Sequence, residues 1–164
     1  MSNARLLLRD ESATEAAGAR LARALGRGMI VTLSGELGAG KTTLVRGCLR
    51  ALGWEGPVKS PTYPLVEHYP LSSLYFYHFD FYRFADPSEW ETAGLAECFG
   101  PDAVCLVEWP ERVAGRLPVP DLALTFAYPA DPSRPGRELV LAAQTEGGER
   151  CMAAMTSVDS GPTP

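Results

Sequence analysis

Gly35–Thr42, GELGAGKT, is the stretch whose reading decides the fold. It follows the apolar run Met29–Leu33 and precedes a helix-like segment, Thr42–Leu52. The octet fits G-x-x-x-x-G-K-[ST], the phosphate-cradling P-loop, whose context is strand, loop, helix. Gly35, Gly38 and Gly40 permit tight backbone angles and a close approach that a β-carbon would obstruct. Successive N–H groups of such a loop point inward and form an anion nest at a helix N-terminus. Lys41 is placed to reach the β- and γ-phosphates, and the Thr42 hydroxyl to bind Mg²⁺. The candidate nucleotide-binding set is Gly35, Glu36, Leu37, Gly38, Ala39, Gly40, Lys41, Thr42 and Thr43. The chain has two lysines against thirteen arginines, and one of the two sits in this motif.

Working outward, 164 residues suffice for one domain with an ordinary core. A hydrophobic share of 46% beside 21% charged residues is that of a globular chain. The net charge of −5 and a pI near 5.1 argue against an autonomous DNA or RNA binder, so contact with RNA is expected to be local or through a partner. Cys48, Cys98, Cys105 and Cys151 form no C-x-x-C pair and no cluster at metal spacing; they read as reduced thiols, mostly buried. The N-terminus lacks the apolar core of a signal peptide, and no run approaches the ~20 apolar residues of a membrane span. A soluble, cytoplasmic protein is expected.

Arg5–Arg9 is a short strand candidate, and Ser12-x-x-Glu15 reads as a capping box opening a helix that Gly26 and Gly28 end. Met29–Leu33 has the unbroken apolar pattern of a parallel strand buried on both faces. Leu65–Tyr69 and the aromatic Leu74–Phe84 read as a hairpin, and Asp86–Glu89 as the start of a helix running to Cys98. Ala103–Val107 is a second wholly apolar run, and Asp121–Tyr128 with Glu138–Ala143 a second hairpin. The fold class is α/β: a mixed sheet with parallel central strands flanked by helices, and antiparallel hairpin strands alongside. Residues 1–144 form the single domain, and the small, polar stretch 145–164 is expected to be a flexible C-terminal tail.

A P-loop needs a further acid for its metal, usually at the end of an apolar strand. Asp80 and Glu108 both qualify, because carboxyl ends of strands converge on the ligand crevice of an open parallel sheet. The shorter Asp80 is assigned to Mg²⁺ and Glu108 to the attacking water, with Thr42, Asp80 and Glu108 together the metal-site candidates. The bland alternative is that either acid caps a turn or pairs with Arg83 or Arg112. Ser60-Pro61-Thr62 reads either as a switch-like loop carrying a hydroxyl for the γ-phosphate or Mg²⁺, or as a turn fixed by proline. His78 shares a strand face with Asp80 and is expected to position it. The aromatics Tyr75 to Tyr82 suit core or a protein interface better than base stacking, given the acidic charge. Trp109 packs near the nucleotide, against a partner or in the core.

Taken in order, GELGAGKTT, SPTYPLVEHY, HFDFYRF, GLAECF and CLVEWPER resemble the bacterial TsaE (YjeE) family of small P-loop ATPases, over about Thr32 to Arg112. The resemblance implies an ATPase acting with the TsaB and TsaD proteins in threonylcarbamoyladenosine modification at tRNA position 37, touching tRNA only through that complex. It implies ATP and Mg²⁺ as ligands, with Lys41 and Thr42 on phosphate and metal. It makes Thr62 the switch-loop hydroxyl, Asp80 the metal-site acid and Glu108 the acid required for hydrolysis, so the catalytic set is Glu108, Lys41 and Thr62. Two other classes stand beside this reading: a small-molecule kinase, for which no arginine-rich lid stands out, and a non-catalytic nucleotide-dependent binding module.

Overall fold

The computed structural model describes residues 2–61, 65–72 and 74–157. Seven strands form one sheet: β1 (Asn3–Leu8), β2 (Ile30–Ser34), β3 (Val66–Pro70), β4 (Tyr75–Asp80), β5 (Ala103–Glu108), β6 (Leu122–Ala127) and β7 (Arg137–Ala143). Their order is β1-β7-β6-β2-β5-β4-β3. The central four, β6, β2, β5 and β4, are mutually parallel, while β7, β1 and β3 pair antiparallel at the flanks. The two apolar runs are thus the middle of the sheet, where both faces are covered: all six residues of β5 are buried.

Helices α1 (Glu11–Ala22), α2 (Lys41–Ala51) and α4 (Glu146–Thr156) share one core with one face of the sheet, built from Leu21, Val31, Leu33, Leu44, Leu49, Leu141 and Met155. A second, more aromatic core of Phe79, Phe81, Trp90, Val107 and Val113 lies under the short helix α3 (Glu89–Ala93) and two 3₁₀ turns. The aromatic run of β4 is therefore divided between two cores. Phe76, Phe79 and Phe81 are fully buried, while Tyr75 and Tyr82 reach solvent.

Four expectations are corrected. Asp10, extended and accepting from Ala13 N at 2.8 Å, caps α1 in place of Ser12, because the chain leaves β1 and turns helical at Glu11; Glu15 instead meets Arg46 at 2.8 Å. The strand expected to reach Phe84 stops at Asp80, whose Oδ1 accepts from Tyr82 N at 2.9 Å and folds the chain over. The helix expected to reach Cys98 breaks at Gly94, at φ 66°, and continues as a 3₁₀ turn over Leu95–Cys98. The expected tail is largely structure: Thr145 caps α4 by accepting from Gly148 N at 3.1 Å, and Gly148, Cys151, Met152 and Met155 bury one stripe. Its small residues hid that stripe, since Gly148 packs backbone against backbone: a β-carbon there would lie 1.8 Å from Asp121 O. Residues 158–164 lie outside the described residues.

Helices α1 and α2 touch through glycines. A β-carbon at Gly18 would sit 2.1 Å from Leu44 O, and one at Gly47 would sit 2.2 Å from Glu15 O. Gly18→Ala and Gly47→Ala are expected to cost about 1–3 kcal/mol or more, read as a lower urea midpoint. Gly26→Ala, whose added carbon meets only Met29 Sδ at 3.9 Å, should leave the midpoint near the wild-type value.

Burial sets the alkaline limit of stability. It pushes Cys105 up to about 12 and Cys151 up to about 11, raises Cys48 further, and raises Tyr69 and Tyr77 above the phenol range. Each group keeps its proton longer folded than unfolded, so its contribution is whole below its ordinary value, 9.0 for the thiols and 10.0 for the phenols, and lost as pH rises above it. Lys41, lowered by burial, acts with the opposite sign but alone. Urea titrations at neutral pH and near pH 10 should therefore show a lower unfolding free energy at the higher pH.

Candidate functional site

Three parallel strands deliver their carboxyl ends to one place. Strand β2 ends at Ser34, and the loop after it turns directly into α2 at Lys41. The turn depends on Gly35 and Gly40, at φ 143° and 113°. A β-carbon on Gly35 would lie 2.9 Å from Phe126 Cβ, so the loop is pressed against β6. On the other side Asp80 and Glu108 end β4 and β5 as register partners, which brings both acids to the same edge. The expected convergence of Lys41, Thr42, Asp80 and Glu108 is observed: all four, with Ser60 and Trp109, wall a cleft of about 300 Å³ against Gly38–Gly40 and Thr43.

Glu108 is 3% exposed, and its Oε2 is held from two directions. Thr42 Oγ1, in the first turn of α2, donates to it at 3.1 Å, and His78 Nε2 lies 2.5 Å away. His78 was expected to serve Asp80; it serves Glu108. Glu108 is the diagonal neighbour on the adjacent strand, two residues beyond Leu106, the register partner of His78, and the imidazole and the longer glutamate side chain together span the roughly 7–8 Å of that diagonal. Asp80 has its own supports: Ser60 Oγ donates to Oδ2 and Tyr82 N to Oδ1 at 2.9 Å. Among the described residues neither acid pairs with Arg83 or Arg112; the Arg112 guanidinium instead donates to Phe84 O at 3.4 Å.

Lys41 is buried and donates to Gly35 O, and to Glu36 O at 2.8 Å. Burial lowers its pKa below the usual ammonium range, opposed by the charges of Glu108, Asp80 and Glu111. Its ammonium also lies 4.6 Å from the Trp109 ring centre, and Tyr82 and Arg112 lie 5.0 and 5.7 Å from the same ring. Trp109 has φ 58°, a conformation few non-glycine residues adopt, immediately after Glu108. That turn aims its ring at Lys41, which places Trp109 at the cleft.

Thr42, Asp80 and Glu108 form an all-oxygen set able to hold a hard divalent cation that keeps water and takes phosphate oxygens. Among the described residues no three His, Cys, Asp or Glu side chains gather as a protein cage, so a cation here would need those other ligands. Thr62 lies outside the described residues; Ser60, two residues earlier, is the loop hydroxyl that reaches Asp80.

A second cleft, of about 290 Å³, was not legible in the sequence. It shares Gly38–Gly40 and Thr43 with the first, and its other wall includes Thr14 of α1 and Arg137 of β7. The Arg137 guanidinium stands over the Tyr128 ring at 4.4 Å, and among the described residues its buried Nε has no partner. Its only advance signal was the basic residue after Gly136.

Comparison with known proteins follows the same lines. Residues 8–137 match the family model described as threonylcarbamoyl adenosine biosynthesis protein TsaE. The chain is 44% identical over 131 residues, 80% of each chain, to the tRNA threonylcarbamoyladenosine biosynthesis protein TsaE of Haemophilus influenzae. Against the protein of that name from Treponema pallidum it is 36% identical over 130 residues, 79% of this chain and 96% of the relative. Among solved structures, Bacillus subtilis YdiB superposes with a TM-score of 0.78 at 28% identity, covering 94% of this chain and 95% of that one.

Proposed function

This chain belongs to the TsaE family of threonylcarbamoyl adenosine biosynthesis proteins, and from that premise we propose that it binds and hydrolyses ATP with Mg²⁺ in support of threonylcarbamoyladenosine modification of tRNA. One observation carries the reading: Asp80 and Glu108 end adjacent strands in register, and both wall the cleft that holds Lys41 and Thr42. Mg²⁺, held by Thr42 and Asp80 and joined by Glu108, would neutralise charge on the phosphates. Lys41 supplies the mobile cation of the loop, and its lowered proton affinity is offset by a polyanion at close range. Glu108 directs a water at the terminal phosphate, and Thr62 is the proposed switch-loop hydroxyl.

The two clefts divide the nucleotide. Phosphates threaded along Gly38–Gly40 end at the acids on one side, which leaves the nucleoside for the side of Thr14, Thr43 and Arg137. Arg137, already stacked on Tyr128, offers the base a planar cation. TsaB and TsaD are the proposed partners and the route to tRNA. The protein is proposed to be cytoplasmic; among the described residues no helix is long and apolar enough to cross a membrane.

Phosphate release from ATP, alone and with TsaB and TsaD, tests the whole reading; ADP formation that rises only with a small-molecule acceptor, without matching phosphate release, would replace it with a kinase. Glu108→Ala should keep ATP binding while hydrolysis falls roughly a hundredfold or more. Unchanged turnover would remove Glu108 from the mechanism.

Arg137→Ala separates the two clefts. Its affinity for ATP should drop about three- to thirtyfold by isothermal titration, with affinity for inorganic triphosphate unchanged. Equal loss for both ligands would place Arg137 on the phosphates instead.

A further inference from the structure

His78 is a polar residue in a place that an apolar one would fill. It is fully buried on β4, between Phe76 and Asp80 on the face that looks toward α2, and its register partner on β5 is Leu106. Among the described residues its buried Nδ1 has no hydrogen-bond partner, and its one polar contact is Nε2 to Glu108 Oε2 at 2.5 Å. A buried polar atom without a partner is destabilising, and a residue that carries one in a core strand calls for a reason outside packing. Here the reason is adjacent.

We propose that His78 is the positioning residue of Glu108: through Nε2 it fixes one carboxylate oxygen and turns the other, Oε1, toward the cleft. The inference rests on the ATPase reading above. Oε2 takes both donors, Thr42 and His78, and among the described residues Oε1 receives no hydrogen bond. Thr42 is itself a cation-site candidate, so its hydroxyl has a competing engagement. His78 has none, being sealed in the core, and it holds Glu108 whatever Thr42 does. Because β4 and β5 are hydrogen-bonded neighbours in fixed register, the imidazole is anchored to the strand that bears Asp80, so it ties the aim of Glu108 to the backbone that carries the other acid. His78 touches neither phosphate nor water in this arrangement and acts only through Glu108.

The test uses the full chain and three substitutions. His78→Gln places an amide nitrogen near the position of Nε2, His78→Asn places one near Nδ1, out of reach of Glu108, and His78→Phe keeps the ring without a donor. ATP affinity is read by titration, and kcat and KM by phosphate release under the conditions in which the wild type turns over. His78→Phe and His78→Asn are expected to lose roughly a hundredfold in kcat with ATP affinity within about threefold, while His78→Gln recovers most of the loss. The Gln-over-Asn order decides the matter even where the Phe variant fails to fold. Equal kcat in Gln and Asn variants, wild-type kcat in the Phe variant, or parallel loss of kcat and ATP affinity in all three would overturn the assignment. A wild-type protein that binds ATP without ever releasing phosphate would overturn the ATPase reading instead, which keeps the two failures apart.

Discussion

A carboxylate buried at the end of a wholly buried strand is the constraint around which this site is arranged. Strand β5 has no exposed residue, and its last one is an acid. A charged group removed from water is tolerated only where donors replace the lost hydration. The two donors to Glu108 come from different layers, Thr42 from the first turn of α2 and His78 from the adjacent strand. Helix α2 is thus pinned to the sheet at its N-terminus, where its backbone dipole and the loop amides make up the proposed phosphate site.

The far side of that helix is fixed by contact of another kind. Gly18 and Gly47 let α1 and α2 approach until backbone meets backbone, and Arg46 of α2 reaches Glu11 and Glu15 of α1 at 2.6 and 2.8 Å. Close packing leaves α1 little freedom, so the β-carbon position at Gly40 is 3.5 Å from Thr14 Cγ2. The loop is therefore held between the acids on β4 and β5 and the start of α1. Its two clefts follow from that placement, one on each side of the same glycines.

Much of this was legible in the sequence, and the division has a physical basis. The glycine loop, the two central strands and both hairpins announce themselves through local signals: turn residues, apolar runs and alternation. Asp80 and Glu108 were legible because each ends such a run. The link between His78 and Glu108 was not, since it depends on which strand lies beside which, and 30 residues separate the two. Arg137 was missed for a related reason: the β6–β7 hairpin was legible, but not that it lies against β2 and so beside the glycine loop. The α4 helix escaped because Gly148 and Cys151 bury little side chain, and the cap of α1 lies two residues before the expected Ser12, at Asp10.

The contacts of the two acids are more informative than their proximity. Asp80 is bonded to Ser60 of the loop that follows α2 and to the turn at Tyr82, so it ties the sheet to segments at the surface. Glu108 is bonded to Thr42 and to a core histidine, so it ties the sheet to the glycine loop and to the interior. An acid whose donors lie in surface segments can exchange them for a new ligand at small cost. One whose donor is sealed in the core keeps its orientation while its surroundings change. That difference suits the proposed roles, Asp80 toward a cation that comes and goes and Glu108 as a reacting group whose aim must persist, and it arises from burial rather than from any difference between the two carboxylates.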